Sequence, residues 1–335
     1  MTDTSTRTRL RVSRFGGPDV LTSSTVEPGP ARRGRVRVRI THASLGSTDA
    51  LARRGGYLLQ PRAGFTPGYD LVGIVERSTA DASARGLTEG SRVAASLPRM
   101  GAHATSIDVP ARLLVPVPDA LDSEVAASLP LDLVTAGLAW SLAAVPAGGG
   151  VLVQGASGPV GGYLVQTART AGGHPVLGTS SASTRAVTES LGATWLDYRD
   201  PTWVDRVLEA VPHGVAAAFD HTGSASLRRA VTADGTLVRL SFVGRPGHER
   251  RDTFTGGVRA LARTFGRRRE RVVSVPLFVA LRPAAYRAML AVQLERVANG
   301  ALTAPEVEVV PMADAAQAHA RLEAGLAGRK LVLAT

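Results

Sequence analysis

Cysteine is absent from the 335-residue chain, which removes disulfides, thiolate nucleophiles and cysteine-containing zinc sites from its chemistry. Lysine is almost absent as well: Lys330 is the only one, and arginine supplies the remaining cationic side chains. That exchange reads as codon bias and not as a designed surface. The formal net charge of +11 invites a nucleic-acid partner, but the arginines are spread over both halves of the chain. Their one dense cluster, Arg263, Arg267, Arg268, Arg269 and Arg271, has no aromatic ladder beyond Phe265, so it reads first as a solvated face and second as a contact for an acidic partner. No run reaches the roughly 18 apolar residues of a membrane span. Met1 to Phe15, MTDTSTRTRLRVSRF, lacks the apolar core of a signal peptide. The seven histidines include no HExxH motif and no close pair. The expectation is a soluble, cytoplasmic chain with neither a membrane nor a nucleic-acid partner.

What is present is apolar content of 44 % on a chain longer than one domain usually runs, so two separate cores are expected. The stretch Val151 to Gly162, VLVQGASGPVGG, is the most informative. An apolar run stops at glycines and continues into helix-compatible YLVQTARTAGG, the order of strand, turn and helix that a dinucleotide diphosphate requires. Gly155 and Gly158 turn tightly and leave room for phosphate. Gly161 lets the helix lie close to the strand, and the unpaired first N–H groups of the helix face the anion. A structural turn without ligand fits the glycines alone, but strand candidates follow at His174 to Ser181, Ala193 to Tyr198, Val215 to Asp220 and Gly235 to Phe242, each separated by a helix-length segment. Such alternation predicts a parallel sheet with helices on both faces.

Upstream, GRVRVRI (Gly34 to Ile40) alternates three apolar residues with three arginines, and YDLVGIVE, SRVAASL and LLVPVP continue the β pattern to Pro118. Helical spacing begins at Asp122, over Val125 to Leu129 and Leu133 to Ala144. Beyond the fifth strand, Gly244 to Arg271 reads as an irregular basic segment and Val272 to Val279 as an apolar strand. An amphipathic helix from Pro283 to Asn299 and a strand, helix and strand over Glu306 to Val310, Ala313 to Ala324 and Lys330 to Leu333 complete the chain.

The order of these parts resembles the medium-chain dehydrogenase/reductase superfamily, in its zinc-free quinone oxidoreductase and enoyl reductase branch. The resemblance covers nearly the whole chain. It is carried by FGGPDVL, TPGYDLVGIV, GLTEGSRV, the GASGPVG turn, LGAT..LDYRD and the closing GALTAPEVEVVPMADAAQAHARLEAGLAGRKLVL. It implies an α/β fold in which a Rossmann-type doubly wound parallel sheet, residues 129–279, is inserted into a GroES-like β-rich catalytic domain, residues 1–128 and 280–335. The active site is then expected in the cleft between them. Zinc-containing relatives carry His-Glu where this chain has Tyr69-Asp70, and no cysteine is available, so no metal is expected.

NADPH is the expected cofactor. NAD-specific sites place a carboxylate roughly 20 residues beyond the glycines; here stand Gly178, Thr179, Ser180 and Ser181, with Arg185 one turn on and no carboxylate before Glu189. Helix capping also accounts for the two serines and is compatible with phosphate. The cofactor-binding set is Gly155, Ala156, Ser157, Gly158, Pro159, Val160, Gly161, Thr179, Ser180, Ser181, Arg185 and Tyr198. His221, Thr222 and Gly223 are added as backbone contacts at the nicotinamide side, and Phe242 and Val243 as the cleft border.

The resemblance assigns catalytic positions to Tyr57, Asp49 and Thr135. In ASLGSTDALARRGGY the family's Asn is replaced by Gly46 while Asp49 is kept, and Tyr57 falls where related enoyl reductases bind or protonate substrate. A phenol can hold a carbonyl oxygen as charge builds, or deliver a proton; loop packing is its other reading. Thr135 corresponds to the threonine near the nicotinamide, or bonds the preceding helical turn. His103, where relatives carry Tyr, reads as structural. The expected reaction is hydride transfer from NADPH to a quinone or α,β-unsaturated carbonyl, by a homodimer pairing through Val272 to Val279. The rival is a cofactor-binding but catalytically silent protein that acts through its basic segment.

Overall fold

The computed structural model describes residues 6–27, 29, 33–83, 86–242, 245, 247–264, 269–325 and 329–335. The chain divides into two compact units, Met1–Val134 with Val275–Thr335, and Thr135–Ser274.

The first unit is built on antiparallel strands. β1 (Arg7–Val12) and β2 (Leu21–Val26) form a hairpin. β3 (Arg35–Leu45), β4 (Asp70–Arg77), β5 (Arg92–Ser96), β6 (Ser106–Pro110) and β7 (Val115–Pro116) follow. The alternation in β3 buries Val36, Val38 and Ile40, and the strand runs on to Leu45 because His42 to Leu45 pair with the last strand of the chain. One of its arginines is not on a solvated face: Arg37 is buried and grips both oxygens of Asp108 at 3.0 and 3.1 Å. The segment Leu113 to Pro118 is mostly not strand; a 3-10 turn at Ala111–Leu113 precedes the two residues of β7.

The second unit is a six-stranded sheet of β8 (Val151–Gln154), β9 (Val176–Ser180), β10 (Thr194–Asp197), β11 (Val215–Asp220), β12 (Val231–Arg239) and β13 (Arg269–Val272). Every neighbouring pair is parallel, in the order β10-β9-β8-β11-β12-β13. That is the 3-2-1-4-5-6 order of a doubly wound dinucleotide fold, with its switch point between β8 and β11. Buried on both faces, the strands are short apolar runs. Leu152, Leu177, Ala218 and Leu237 from the sheet pack with Trp203, Val204 and Val207 of the helix Trp203–Ala210.

The closing strands β14 (Val307–Pro311) and β15 (Lys330–Ala334) return to the first unit, whose sheet runs β14-β15-β3-β4-β5-β7 with β6 on β3. Leu10, Leu45, Val310, Met312, Leu331 and Leu333 close a core against the helix Ala315–Glu323. Lys330 lies in this last strand, about a tenth exposed, with its Nζ 2.6 Å from Asp132.

Three sequence expectations need correction. The basic segment Gly244 to Arg271 is not irregular: Glu249–Ala262 is a 14-residue helix. Only Ala260 in it is buried, so the helical apolar period was missing, and Gly256-Gly257 read as a break. Val272 to Val279 is not a strand; β13 ends at Val272 and Val275–Leu281 is a helix. A short apolar run fits either state, and the i, i+4 burial of Val275 and Val279 decides for the helix. The sheet edge is therefore Arg269–Val272, and the strand on which the homodimer expectation rested does not exist. The fifth strand spans Val231–Arg239 instead of Gly235 to Phe242. Among the described residues, no single helix is long and apolar enough to cross a membrane.

Candidate active site

At the switch point, the turn after β8 is set by what its glycines lack. Gly155 has φ +71°, a left-handed conformation that favours glycine. A β-carbon on Gly161 would lie 2.1 Å from the Gly155 carbonyl oxygen, so the helix Pro159–Thr170 rests directly on the turn. Pro159 occupies its first position, where its missing N–H costs nothing, with Gly158 as N-cap. Ala156 is buried, and its N–H goes to the Thr179 carbonyl at 2.9 Å. Ser157 and Val160 complete the turn. The first helical N–H groups lack intrahelical partners and face the space above the turn. The cradle fits a diphosphate.

From the far side of the switch point, β11 delivers His221, Thr222 and Gly223. The His221 ring lies over the turn: a β-carbon on Gly155 would be 2.7 Å from its Cε1. Buried Asp220 holds this loop. Its Oδ1 accepts from the Thr222 N–H and hydroxyl, each at 2.8 Å, and its Oδ2 from the Gly223 N–H at 2.9 Å and from Arg239. Arg239, also buried, reaches Glu270 at 3.2 Å and the Ser224 carbonyl at 2.8 Å, and Arg228 pairs with Glu270. Sequence reading missed this network, although an arginine within the apolar run TLVRLSF was its signal. The Phe242 ring borders Gly223 and Gly256; Val243 lies outside the described residues.

The expected 2′-phosphate residues divide into two groups. Thr179 and Ser180 are buried and committed: Thr179 Oγ1 accepts from the Gly155 N–H at 3.4 Å, and Ser180 Oγ accepts from Thr188 at 2.8 Å and from the Trp195 indole at 3.1 Å. They shape the rim, and Ser180 offers no free hydroxyl to a ligand. Ser181 is half-buried, its hydroxyl shared with Ser183 at 2.9 Å and Thr184 at 3.0 Å. Arg185 is exposed, stacked 4.8 Å from the Trp195 ring centroid and paired with Glu189 at 2.9 Å. Tyr198 is 47 % exposed beside β9, under the Arg199 guanidinium. Trp195, which positions both Ser180 and Arg185, was not singled out in the sequence.

In the first unit, Asp49 is a structural carboxylate and not a free acid. It is buried at the third position of the helix Ser47–Arg53, and accepts the Gly46 N–H at 2.9 Å and the Gly68 N–H at 2.8 Å. With both oxygens taken by amides, it caps the helix. His103 is fully buried beneath Gly68, its Nε2 donating to the Ser44 carbonyl at 2.9 Å. Tyr57 sits half-buried in the loop after the helix and accepts a 2.9 Å hydrogen bond from Tyr69. Burial pushes the Tyr57 hydroxyl above the usual phenol range; the Tyr69 bond opposes that shift, and Asp49 adds to it. Thr135 lies half-buried in the second turn of the helix Pro130–Ala143.

Residues 32–119 match the alcohol dehydrogenase GroES-like domain and residues 191–333 the zinc-binding dehydrogenase family. The chain belongs to the medium-chain dehydrogenase/reductase superfamily, in its quinone oxidoreductase-like branch. This dehydrogenase/reductase is 28 % identical over 331 residues to a phenolphthiocerol/phthiocerol polyketide synthase of Mycobacterium tuberculosis, a match covering 97 % of the chain and 15 % of that protein. It is 32 % identical over 203 residues to the quinone oxidoreductase of Rattus norvegicus, covering 59 % of the chain and 60 % of the relative. In each case the match spans less than two thirds of the relative's length. Among solved structures, a mycobacterial quinone oxidoreductase superposes with a TM-score of 0.79, and mycobacterial Rv1454c complexed with NADPH with 0.78. Both are 28 % identical and cover 99 % of this chain and 100 % of theirs.

The family description includes zinc, and the residues present do not fit it. Among the described residues no three His, Asp or Glu side chains converge as ligands, and Asp70 is engaged by the Ser44 hydroxyl at 3.3 Å and the Leu131 N–H at 2.9 Å.

Proposed function

We propose that the chain is a metal-independent, NADPH-dependent reductase acting on a quinone or an α,β-unsaturated carbonyl. The observation that carries this reading is the switch-point cradle, where Gly161 meets the Gly155 carbonyl under an unpaired helix N-terminus, with Ser181, Arg185 and Tyr198 on its adenosine side and no free carboxylate at the end of β9. Arg185 is already oriented by Trp195, so exchanging its exposed Glu189 partner for a 2′-phosphate gives up a pair worth little in water. The NADPH-bound mycobacterial neighbour supports the same cofactor. When bound, NADPH supplies a hydride.

The chain's own part is to receive the charge that hydride addition pushes onto the acceptor's oxygen. Tyr57 is suited to this, because its hydroxyl proton is not used by Tyr69 and is available to a carbonyl oxygen or to the adjacent carbon. Desolvation strengthens such a hydrogen bond. The reading is tested by NADPH oxidation with 1,4-benzoquinone, a 2-alkenal and a crotonyl thioester. Turnover with at least one acceptor, reduced about 10²-fold or more in Tyr57→Phe with NADPH affinity unchanged, is expected. A tight NADPH complex inert to all three would replace it with a binding protein, and unchanged turnover in Tyr57→Phe would leave that residue as packing.

A further inference from the structure

Tyr69 and Tyr57 face each other edge to face, ring centroids 6.2 Å apart at 87°, with hydroxyl oxygens 2.9 Å apart. The two are held very differently. Tyr69 is 3 % exposed, and its carbonyl accepts the Leu97 N–H at 2.8 Å. The preceding Gly68 is fixed by φ +90°, by Asp49 on its N–H and by the His103 ring against its Cα. Tyr57 lies on a turn where Gln60 N–H reaches its carbonyl at 3.2 Å. A loop phenol leans on a rigid one.

We propose that Tyr69 is a positioning residue for Tyr57: by donating its O–H to Tyr57 Oη, it directs the Tyr57 proton away from the pair and holds the oxygen on which charge remains once that proton has left. This rests on the reading of Tyr57 given above. The argument is one of counting. Two hydroxyls in contact share one hydrogen bond, so one proton lies between them and the other points elsewhere. Tyr69 is the more deeply buried and donates to Tyr57, which leaves the outward proton on Tyr57.

The electrostatics agree. Burial raises the ionisation of both phenols, and the carboxylates on the neighbouring elements, Asp49 for both and Asp70 for Tyr69, raise it further. The Tyr69 hydroxyl is the one contribution acting the other way at Tyr57. If Tyr57 protonates the carbon next to the carbonyl, its O–H bond breaks as the C–H bond forms, the enolate electron pair becomes that bond, and the phenolate regains its proton from water. If it only hydrogen-bonds the carbonyl oxygen, Tyr69 polarises the same O–H. Without Tyr69, the Tyr57 oxygen meets apolar surroundings and two anions.

The test compares wild type, Y57F, Y69F and Y57F/Y69F for kcat, NADPH affinity and pH profile, with [13Cζ]-tyrosine NMR on the same proteins. Y69F is expected to lower kcat roughly 10- to 100-fold, the loss of one bond to a charged oxygen, and to leave NADPH affinity unchanged. It should have no further effect on kcat in the Y57F background. The Tyr57 resonance, assigned by its loss in Y57F, should titrate at higher pH in Y69F. Y69H, which keeps a donor, should restore part of the kcat, and takes the place of Y69F in the comparison if that variant does not fold. Equal losses from Y69F in both backgrounds, or an unmoved Tyr57 resonance, would overturn the proposal. No loss in Y57F would instead remove the role assigned to Tyr57, and the NMR shift would still report whether the hydroxyl pair exists.

Discussion

Asp70 and Asp220 are both fully buried, one at the head of β4 and the other at the tail of β11, yet they are held by different means. Asp220 faces the Arg239 guanidinium and three donors of its own loop. Asp70 has the Ser44 hydroxyl and the Leu131 amide, while the nearby Lys330 ammonium is committed to Asp132. Burial accordingly pushes the Asp70 carboxyl up to about 7; the Leu131 and Ser96 bonds and Lys330 only partly offset it, and Asp132 adds to it. Depth of burial therefore does not decide whether a carboxylate is a fixed anion; a dedicated counter-charge does. In the parallel-sheet unit that counter-charge fixes the loop proposed to meet the cofactor. In the antiparallel unit the carboxyl is conditional on pH.

The comparison can be broken most forcefully at Arg239. Arg239→Leu would leave Asp220 and Glu270 buried without their shared cation, and a loss of about 3–5 kcal/mol is expected in urea or thermal unfolding. A loss below about 1 kcal/mol would mean that the network is not what holds the loop.

Asp70→Asn sharpens the other side. Because its folded-state value lies above the ordinary 3.8, the native state keeps a proton that the unfolded chain releases. Its contribution to stability is thus full below about pH 4, lost as pH rises to about 7, and level beyond. The difference between Asp70→Asn and the parent should move in the variant's favour by on the order of 2–4 kcal/mol between pH 4 and 7. Unfolding curves at both pH values that give a constant difference would show that Asp70 is an ordinary ionised carboxylate.

The smallest expected effect on stability is at the exposed pair. Arg185 and Glu189 are 57 % and 45 % exposed, so Arg185→Glu should change stability by less than about 0.5 kcal/mol. The same substitution should weaken NADPH binding about 10-fold or more relative to NADH, one charged contact of about 1.5–3 kcal/mol. Equal losses for both nucleotides by calorimetry would remove the argument for the 2′-phosphate.

Much of the fold was legible because a parallel sheet writes itself as separated apolar runs. Val151 to Gln154 and Val215 to Asp220 need no partner to be recognised, and the Gly155 and Gly161 requirements are local. Glu249–Ala262 was illegible for the opposite reason: a helix with one buried residue has no apolar stripe to announce it. Val275–Leu281 failed on length, too short for its period to separate from a strand. The site was read at the level of residue type, not of commitment. Nothing in the sequence tells Ser181 from Ser180, yet one hydroxyl is spent on Trp195 and Thr188 and the other stands at the rim. Asp49 likewise reads as an available acid until the amides of Gly46 and Gly68 are seen to occupy it. The Tyr57–Tyr69 contact joins residues twelve apart through a loop whose course depends on Gly55 at φ +86° over the Phe15 ring, and no periodicity encodes that.

The burial of Lys330 turns the chain's lone side-chain amine into a reporter. An acylating reagent reaches Nζ only when the contact with Asp132 opens and β15 lifts from β3. The rate of modification at this one position, followed by mass spectrometry, therefore measures how often that edge of the sheet breathes.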